Sequence, residues 1–272
     1  MTRSLRTTAR DSAPWIERLA RLGYASQGTL YGVIGFLAAM AAVRRRGAVP
    51  DRGDAIAFIQ REPFGNAILI AIAAGLAGYA VWRLLCGLFD SEREGSGPRG
   101  LLIRLGSLAR GLGYLATSFG VVALVIGIAR KQVGSDTEAR KWTAMAMAHP
   151  FGRLAVLLAG FAMLGAAIYQ IYTSFKKRLS RHLPQALINE TVIRISRAGI
   201  AIRGVLFAII GLSLVSASSH HNAARASGSA GALRTIALQP FGRVLLLITG
   251  AGLLAYGVYG FVNARYRKIR VV

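Results

Sequence analysis

The sequence predicts an all-α integral membrane protein with six transmembrane helices, arranged as three tandem two-helix repeats around a pseudo-threefold axis along the membrane normal. Three observations predict this fold: a tripeptide that occurs three times, a spaced pattern that precedes each copy, and six apolar runs of membrane-spanning length. Because each repeat contributes two helices, all three repeats start and end on the same side of the membrane.

The tripeptide Pro-Phe-Gly is the first repeated element. Its copies are 87 and 90 residues apart, and an apolar run of helical length follows each of them. Proline suits a helix start because the N–H that it lacks would have no partner there. The tripeptide therefore marks the start of the second helix of each repeat. It occupies Pro63, Phe64 and Gly65, then Pro150, Phe151 and Gly152, and then Pro240, Phe241 and Gly242.

A spaced pattern precedes each tripeptide. It consists of an arginine followed by glycine after two and seven residues, an aromatic residue after ten and a small residue after fourteen. Two patterns that recur three times in the same order indicate an internal triplication. The members are Arg21, Gly23, Gly28, Tyr31 and Gly35, then Arg104, Gly106, Gly111, Tyr114 and Ser118, and then Arg197, Gly199, Gly204, Phe207 and Gly211.

The six apolar runs carry almost none of the charge of the chain. Of the 272 residues, 54% are hydrophobic and 17% are charged, and the mean hydropathy is +0.46. Each run has about 20 residues or more, which crosses a hydrocarbon core of roughly 30 Å. The first run ends in small residues, as a cleavable signal peptide does. It matches the third and fifth runs, which lie inside the chain, so we expect that it is not cleaved and forms the first spanning helix. The runs cover 22–43, 66–89, 105–129, 153–175, 198–217 and 243–262.

These patterns divide the chain into five segments. We expect a basic N-terminal segment at 1–14, repeats at 15–90, 98–175 and 184–264, and a basic C-terminal tail at 265–272. A short apolar-polar stretch before each Pro-Phe-Gly copy predicts a helix that lies on the membrane surface. These stretches cover 54–60, 142–148 and 233–238.

The basic residues predict the membrane partner and the orientation. The net charge of +23 comes mostly from loops beside the apolar runs, where anionic lipid headgroups are nearer than nucleic acid. Lysine and arginine number 18 in the segments on the side of the two termini and 13 in those on the other side. This bias predicts a multi-pass protein of the inner (plasma) membrane with both termini in the cytoplasm.

Three helix pairs with these signatures resemble a bacterial membrane family catalogued as domain of unknown function 1206. The resemblance covers about residues 15 to 265. It implies a six-helix membrane protein and supplies no activity, so no catalytic residue follows from it. The first repeat departs from the other two at Gln27, where they have Arg110 and Arg203.

Side chains that support catalysis or hold a cofactor lie outside the apolar runs. All 11 Asp and Glu residues and all 4 histidines are in loops or at helix ends, and no metalloprotease, serine hydrolase or phosphate-loop motif occurs. The single cysteine, Cys86, cannot form an internal disulfide. We therefore expect no catalytic residue, no cofactor and no metal site, in a protein that is not an enzyme.

Three arginines and one glutamine within the runs are the candidate site residues. Gln27, Arg110 and Arg203 hold equivalent positions in the three repeats, and Arg83 lies near the end of the second run. One interpretation places these side chains around the pseudo-axis, where they bind an anion or a lipid phosphate. The other interpretation extends each side chain along its helix to the headgroup level, which their depth allows. The sequence leaves both open.

The small and aromatic residues also predict how the two helices of a pair pack. On the first helix the order on one face is small, aromatic, small, and on the second helix it is small, small, aromatic. Since the two helices run in opposite directions, matching depths predict that each ring fits beside a small residue of its own pair. The predicted contacts are Tyr31 with Gly78, Tyr114 with Gly165, Phe207 with Ala255, Trp82 with Gly28, Tyr169 with Gly111, and Tyr259 with Gly204.

Two functions are compatible with the sequence. The first is a non-enzymatic membrane protein that acts as a lipid-associated or partner-binding scaffold. The second is a small transporter or channel for an anionic or neutral solute along the pseudo-axis. A dry apolar centre favours the scaffold, whereas a polar opening lined by Gln27, Arg110 and Arg203 favours transport. Both functions leave a protein partner or a homo-oligomer open.

The charge bias predicts the result of a topology experiment. A reporter protein fused after Val272 should be active when its activity requires the cytoplasm, because the more basic side stays inside. A second fusion within 222–228 places the same reporter on the other side as a control. Activity of the Val272 fusion in a periplasm-dependent assay alone would reverse the assigned orientation.

Overall fold

The computed structural model describes residues 13–44, 49–50, 52–90, 95, 97–128, 135–175 and 190–266. These residues form helices and turns without a strand among them, and six of the helices are long and apolar enough to cross a membrane, which confirms the predicted fold class. The basic residues 1–12 and 267–272 lie outside the described residues. The helices are α1 (Ala13–Val43), α2 (Arg52–Arg61), α3 (Gly65–Phe89), α4 (Pro98–Val125), α5 (Ser135–Met147), α6 (Gly152–Phe175), α7 (Glu190–Ser219), α8 (Ser229–Ala237) and α9 (Gly242–Tyr266).

Each repeat consists of a spanning helix, a short helix and a second spanning helix. The short helices α2, α5 and α8 occupy the three predicted stretches, and α5 begins seven residues before the stretch at 142–148. Two of them pack into the bundle, because Ile56 of α2 and Leu233 of α8 are completely buried. Their placement on a membrane surface stays a prediction.

Each Pro-Phe-Gly copy forms a tight turn that starts a spanning helix. The N–H of Gly65 donates to the carbonyl oxygen of Glu62 at 2.9 Å, and Phe64 has the positive φ, 60°, that a type II turn requires at its third residue. Gly65 must lack a side chain because an added Cβ would overlap the carbonyl oxygen of Ile59. The other two copies repeat these features at Phe151, Gly152, Phe241 and Gly242.

The most extensive helix contacts join different repeats. α3 packs along α4, α6 along α7, and α9 along α1. Each of these interfaces, here called a seam, joins the second spanning helix of one repeat to the first spanning helix of the next, and repeat 3 returns to repeat 1. Within the repeats α1 packs on α3 and α7 on α9 less extensively, while α4 and α6 scarcely touch. The threefold axis along the membrane normal stays a prediction.

Small residues bring the backbones together in every seam. A Cβ added to Gly28 of α1 would lie 2.8 Å from the carbonyl oxygen of Gly257 of α9. The same positions meet in the other seams, as Gly111 with Ala80 and Gly204 with Ala167. Seven residues further along the first helix a second contact recurs, as Gly35 with Gly250, Gly211 with Gly160, and Ser118 donating to the carbonyl oxygen of Ala73 at 2.8 Å. Such close approach lets van der Waals contacts hold helices together in lipid.

The prediction that each aromatic ring packs on the other helix of its own repeat is wrong for Tyr31 and Tyr114, whose rings pack on a neighbouring repeat. Tyr31 lies edge-on against Tyr256 of α9, with ring centroids 4.8 Å apart, and Tyr114 lies edge-on against Tyr79 of α3, at 5.2 Å. No atom lies within 4 Å of a Cβ added to Gly165. A residue at a given depth is level with residues of both neighbouring helices, so depth alone could not predict which helix it contacts. The atoms nearest Gly28, Gly111 and Gly204 belong to the neighbouring repeat, not to Trp82, Tyr169 or Tyr259; the pair Phe207 and Ala255 stays a prediction.

Two of the three signature arginines, Arg21 and Arg104, cap helix ends across the seams on the side of the chain termini, here called the termini side. Arg104 donates to the carbonyl oxygen of Gly87 in α3 at 2.9 Å, and Arg21 donates to that of Ala264 in α9 at 2.7 Å. The last carbonyl groups of a helix have no partner within it, and a cation there also complements the helix dipole. Arg197 holds the equivalent position in repeat 3.

A second row of arginines closes seams on the opposite side, here called the PFG side. Arg243 donates to the carbonyl oxygen of Ala42 at the end of α1, at 3.1 Å, and Arg153 donates to that of Ser218 at the end of α7, at 3.0 Å. The signature arginine and the capped carbonyl of a first helix are 21 residues apart. This spacing is about 32 Å, which matches the hydrocarbon thickness of a bilayer.

The seam geometry predicts which glycines tolerate a side chain. Gly204→Val should destabilise the protein by about 1–3 kcal/mol, because the new Cβ would press on Ala167 and Ile171 of α6. Gly165→Val in α6 is the matched control, since its Cβ meets no atom within 4 Å. Thermal unfolding in detergent micelles measures both variants. An equal loss of stability in the two would contradict the seam.

Candidate functional site

A cluster of arginine and tyrosine side chains lies inside the bundle, and all six spanning helices contribute to it. It begins six residues beyond the termini-side arginine row, at a depth of about 9 Å. We call it the arginine–tyrosine cluster. Its members are Tyr31 of α1, Tyr79 and Arg83 of α3, Arg110 and Tyr114 of α4, Gln170 of α6, Arg203 and Phe207 of α7, and Tyr256 of α9.

Arg203 joins four of the helices. Its Nε donates to the hydroxyl oxygen of Tyr31 at 3.1 Å, and its Nη1 donates to Oε1 of Gln170 at 2.7 Å. Its guanidinium carbon lies 4.2 Å from the ring centroid of Phe207 and 4.9 Å from that of Tyr256. Charge-assisted hydrogen bonds and cation–π contacts therefore hold this cation between helices. Arg203 is thus held between helices rather than extended along α7 toward the termini side, and the anion contact of the first interpretation stays a prediction.

Arg83 forms a second cationic contact in α3. Its side chain is buried, and its Nε donates to the hydroxyl oxygen of Tyr79 at 2.8 Å. The Tyr79 ring in turn lies 5.2 Å from the ring of Tyr114 and 5.0 Å from that of Tyr24. Arg83 therefore contacts a ring of its own helix, and rings from α1 and α4 pack on that ring.

Arg110 is the accessible cation of the cluster. Its side chain is exposed and makes both of its hydrogen bonds within α4, from Nε to the carbonyl oxygen of Gly106 at 2.9 Å and from Nη2 to Oγ of Ser107 at 3.4 Å. Both partners precede Arg110, so the guanidinium turns toward the termini side, as the second interpretation expects. Arg83 and Arg203 are close enough to act on it electrostatically. The site thus holds cations in two different ways.

The predicted ring of Gln27, Arg110 and Arg203 is therefore only partly assembled. Gln27 is buried in α1, and none of the described hydrogen bonds joins it to either arginine. The glutamine that pairs with Arg203 is Gln170 of α6, which the sequence pattern did not predict. The anion or lipid contact that we assigned to these residues stays a prediction.

The second spanning helices supply residues that the sequence analysis missed. Tyr79 and Tyr256 lie fourteen residues after the glycine of their Pro-Phe-Gly copies, and Arg83 and Gln170 lie eighteen residues after theirs. Aligning the second helices on that glycine therefore places the four side chains on one helix face. This alignment is the signal that could have found them.

The cluster carries positive charge without a carboxylate among its described members. Stabilisation of its guanidinium groups comes from hydroxyl, amide and carbonyl oxygens and from aromatic faces. Such groups place several hydrogen-bond donors at one point in a medium of low dielectric constant, where an anion gains more than in water. The carboxylate residues in the described part of the chain lie on the short helices, in turns or near helix ends: Glu17, Asp54, Glu62, Asp90, Asp136, Glu138 and Glu190.

A cleft between α4 and α6 leads to Arg110, and we call it the α4–α6 cleft. On α4, Gly106 and Gly113 flank Arg110; the nearest atom to a Cβ at Gly106 is Nη2 of Arg110 at 3.9 Å, and a Cβ at Gly113 meets nothing within 4 Å. On α6, Gly165 is equally open, and Tyr169 is 63% exposed. The two spanning helices of repeat 2 are therefore not packed against each other at this level of the described bundle.

A polar contact continues the face of α4 that bears Arg110. Thr117 lies seven residues beyond Arg110, and its Oγ1 accepts a hydrogen bond from Nη1 of Arg52 at 2.9 Å. Arg52 begins α2 on the PFG side, so this contact links the spanning helix to the opposite end of the bundle. Polar side chains therefore occur at two levels on this face.

A pocket of about 450 Å³ on the PFG side is a poorer candidate site. It lies between α5, α7 and α8 and is lined by Asp136, Arg140 and Arg225, among others. Oδ1 of Asp136 already accepts hydrogen bonds from the backbone N–H groups of Gly228 and Gly231, both at 2.8 Å. This carboxylate caps the start of α8, so its hydrogen bonds stabilise the contact between α5 and α8.

A family model described as Domain of Unknown Function (DUF1206) matches residues 22–90, 105–177 and 198–267. The chain belongs to this family. The three matched segments correspond to the three repeats that the Pro-Phe-Gly copies delimit, and the recurrence of the seam contacts explains why one model fits three times. The resemblance predicted from the sequence is thus confirmed.

One relative matches almost the whole chain. The Bacillus subtilis (strain 168) protein described as "Uncharacterized protein YxxB" is 30% identical over 263 residues, which cover 95% of this chain and 94% of the relative. No solved structure matches the chain. The description of this relative names no activity.

The two kinds of arginine predict opposite effects on stability. Arg104→Gln should lower the unfolding temperature, because Arg104 caps the end of α3. Arg203→Gln should leave it unchanged or raise it in a buffer without binding anions, because it removes a cation that none of the carboxylates in the described residues compensates. Thermal unfolding of purified protein compares the two. A fall for Arg203→Gln as large as for Arg104→Gln would make Arg203 a structural residue only.

Proposed function

We propose that this DUF1206 protein is a non-enzymatic, lipid-associated scaffold of the inner membrane whose arginine–tyrosine cluster binds an anionic group. The observation that carries the proposal is the convergence of three arginines from three spanning helices, of which Arg110 and Arg203 have no carboxylate among their described contacts. A phosphate-bearing lipid headgroup is the anion that a bilayer supplies nearest to this depth. The scaffold is compatible with a protein partner or a homo-oligomer.

The cost of placing cations in a membrane supports a binding role. An arginine within a spanning segment costs several kcal/mol unless water, an anion or polar groups surround it. Arg203 is surrounded by rings, a hydroxyl and an amide, which reduce this cost and leave its charge in place. A bound anion would supply the missing countercharge, so it would stabilise the folded protein as any ligand of the native state does.

The residues of the cluster support binding rather than catalysis. They offer donors and aromatic faces, and none of the described members is a histidine, cysteine or carboxylate that could act as a nucleophile or general base. Tyrosine is the one titratable type besides arginine, and its hydroxyl groups serve as hydrogen-bond partners of the arginines. We therefore propose no catalytic activity and no cofactor.

The orientation follows from the charge bias and fits the site. With both termini in the cytoplasm, the cluster lies in the cytoplasmic half of the membrane. Anionic lipids in that leaflet attract juxtamembrane basic residues, at roughly 1 kcal/mol for each. The accessible guanidinium of Arg110 turns toward that leaflet.

Transport of an anionic solute is the second candidate, and one contact favours it. Arg52 and Thr117 extend the polar face of α4 from Arg110 toward the PFG side. A solute that leaves Arg110 would meet these groups next. Transport requires this face to become hydrated across the membrane, whereas a scaffold requires the anion only to stay bound.

One experiment distinguishes the two candidates. The wild type and the double variant Arg110→Gln/Arg203→Gln are compared in thermal unfolding with added phosphatidylglycerol and in proteoliposome flux of a panel of anions. The scaffold predicts that the lipid raises the unfolding temperature of the wild type alone, without flux. Transport predicts flux that the double variant loses.

Arg153→Gln is the matched control, since it removes a cap on the PFG side and leaves the cluster intact. It should lower the unfolding temperature but keep the lipid-dependent rise. If neither lipid nor any anion acts differently on the wild type and the double variant, the proposed function is wrong.

A further inference from the structure

The α4–α6 cleft exists because repeat 2 lacks a ring that the other repeats have. Fourteen residues after the Pro-Phe-Gly glycine, repeats 1 and 3 have Tyr79 and Tyr256, and both are buried. Repeat 2 has Ala166 at this position. The smaller side chain leaves the space between the two spanning helices of repeat 2 unfilled.

The first helices confirm the difference between the repeats. A Cβ added to Gly23 of repeat 1 would overlap Tyr79, and one added to Gly199 of repeat 3 would overlap the backbone of Tyr256. The equivalent residue of α4 is Gly106, beside which there is only the side chain of Arg110. The first helix of repeat 2 thus stands away from its partner where it carries its cation.

A second pair of equivalent positions also packs together in repeats 1 and 3 but not in repeat 2. Gly75 of α3 faces the side chain of Ser26, and Gly252 of α9 faces that of Ile202. The equivalent residues of repeat 2 are Ala162 of α6 and Ala109 of α4, and both are exposed. Small apolar residues therefore border the cleft beside Arg110.

We infer that the α4–α6 cleft is a lateral binding site for one anionic phospholipid, with its phosphate at Arg110 and an acyl chain between α4 and α6. The inference rests on the proposed function and adds the route and the kind of ligand. A cation about 9 Å below the helix caps and an apolar space open to the bilayer match the two ends of a lipid molecule. Arg203, held by Gln170 of α6, adds a second positive charge behind Arg110.

Charge decides between a lipid and a second copy of the chain as the occupant. A second copy packed on the same face would bring its own Arg110 against this one, and two like charges in a medium of low dielectric constant repel strongly. An anionic lipid is complementary in charge and brings flexible chains that fit an irregular space. A water-soluble anion satisfies the charge but leaves the apolar walls without a partner.

The cleft can be filled without disturbing the seams. A Cβ at Gly113 meets no atom within 4 Å, so Gly113→Leu should fold and place its side chain beside Arg110. Ala162→Leu narrows the cleft from the other helix. Ala251→Leu, at an exposed position of α9, is the control for added bulk on a lipid-facing surface. Arg110→Gln removes the charge and keeps the space.

Native mass spectrometry of the purified full chain measures the binding of phosphatidylglycerol and of phosphatidylcholine. The inference predicts one tightly bound phosphatidylglycerol, with affinity reduced about tenfold or more by Gly113→Leu, Ala162→Leu and Arg110→Gln, as for loss of a charge-assisted contact. Ala251→Leu should bind as the wild type does. Unfolding temperatures of the same samples check that the variants are folded.

Other results of these measurements would contradict the lateral lipid site, and each points to a different alternative. If Arg110→Gln weakens binding and the cleft-filling variants do not, the proposed anion site stands and the lateral lipid site is wrong. If glycerol 3-phosphate competes for the site as well as phosphatidylglycerol binds it, the ligand is a soluble anion and not a lipid. If the arginine variant also binds like the wild type, both proposals fail. Dimers whose formation Gly113→Leu prevents would assign the cleft to a second copy.

Discussion

The close approach of helix backbones in the three seams is the constraint on which the rest of this structure depends. In a bilayer, apolar surface gains little from leaving lipid for protein, so helices associate by dense packing and by polar contacts. Glycine, alanine or serine at two levels of each seam permits that packing, as at Gly28 and Gly257. The arginine caps then satisfy the helix ends that the seams bring together.

The seams also explain how cations can lie inside the bundle. They fix six helices in one order, so that side chains at equivalent positions converge, and the convergence supplies Arg203 with rings and oxygens from three other helices. In this order, the two spanning helices of repeat 2 scarcely contact each other. Triplication thus produced a regular frame, and the changes to Gln27 in repeat 1 and Ala166 in repeat 2 made its interior asymmetric.

Much of the fold could be predicted from the sequence, because repeated motifs and apolar runs report local structure directly. The Pro-Phe-Gly copies located the starts of the second helices, and their glycines are required by the turns at Gly65 and its equivalents. Helix pairing could not be predicted in the same way. The spacing of Tyr31 and Gly28 defines a helix face and a depth, and both are compatible with either neighbouring helix.

The site was predictable only in part for a similar reason. Depth along a helix could not decide whether Arg203 reaches headgroups or rings, because that choice depends on Gln170 and Tyr256 from other repeats. Arg110, at the same position of its repeat, does turn toward the termini side. Residues at equivalent positions of the repeats can therefore make different contacts when the residues of the neighbouring helix differ.

The central claim is that an anionic lipid phosphate compensates the cations of the arginine–tyrosine cluster. An experimental structure in nanodiscs that contain phosphatidylglycerol tests this claim most directly. The account predicts density for a phosphate within hydrogen-bond distance of Arg110, with acyl-chain density between α4 and α6. A bundle in which α4 packs tightly on α6 and no density adjoins Arg110 would contradict it.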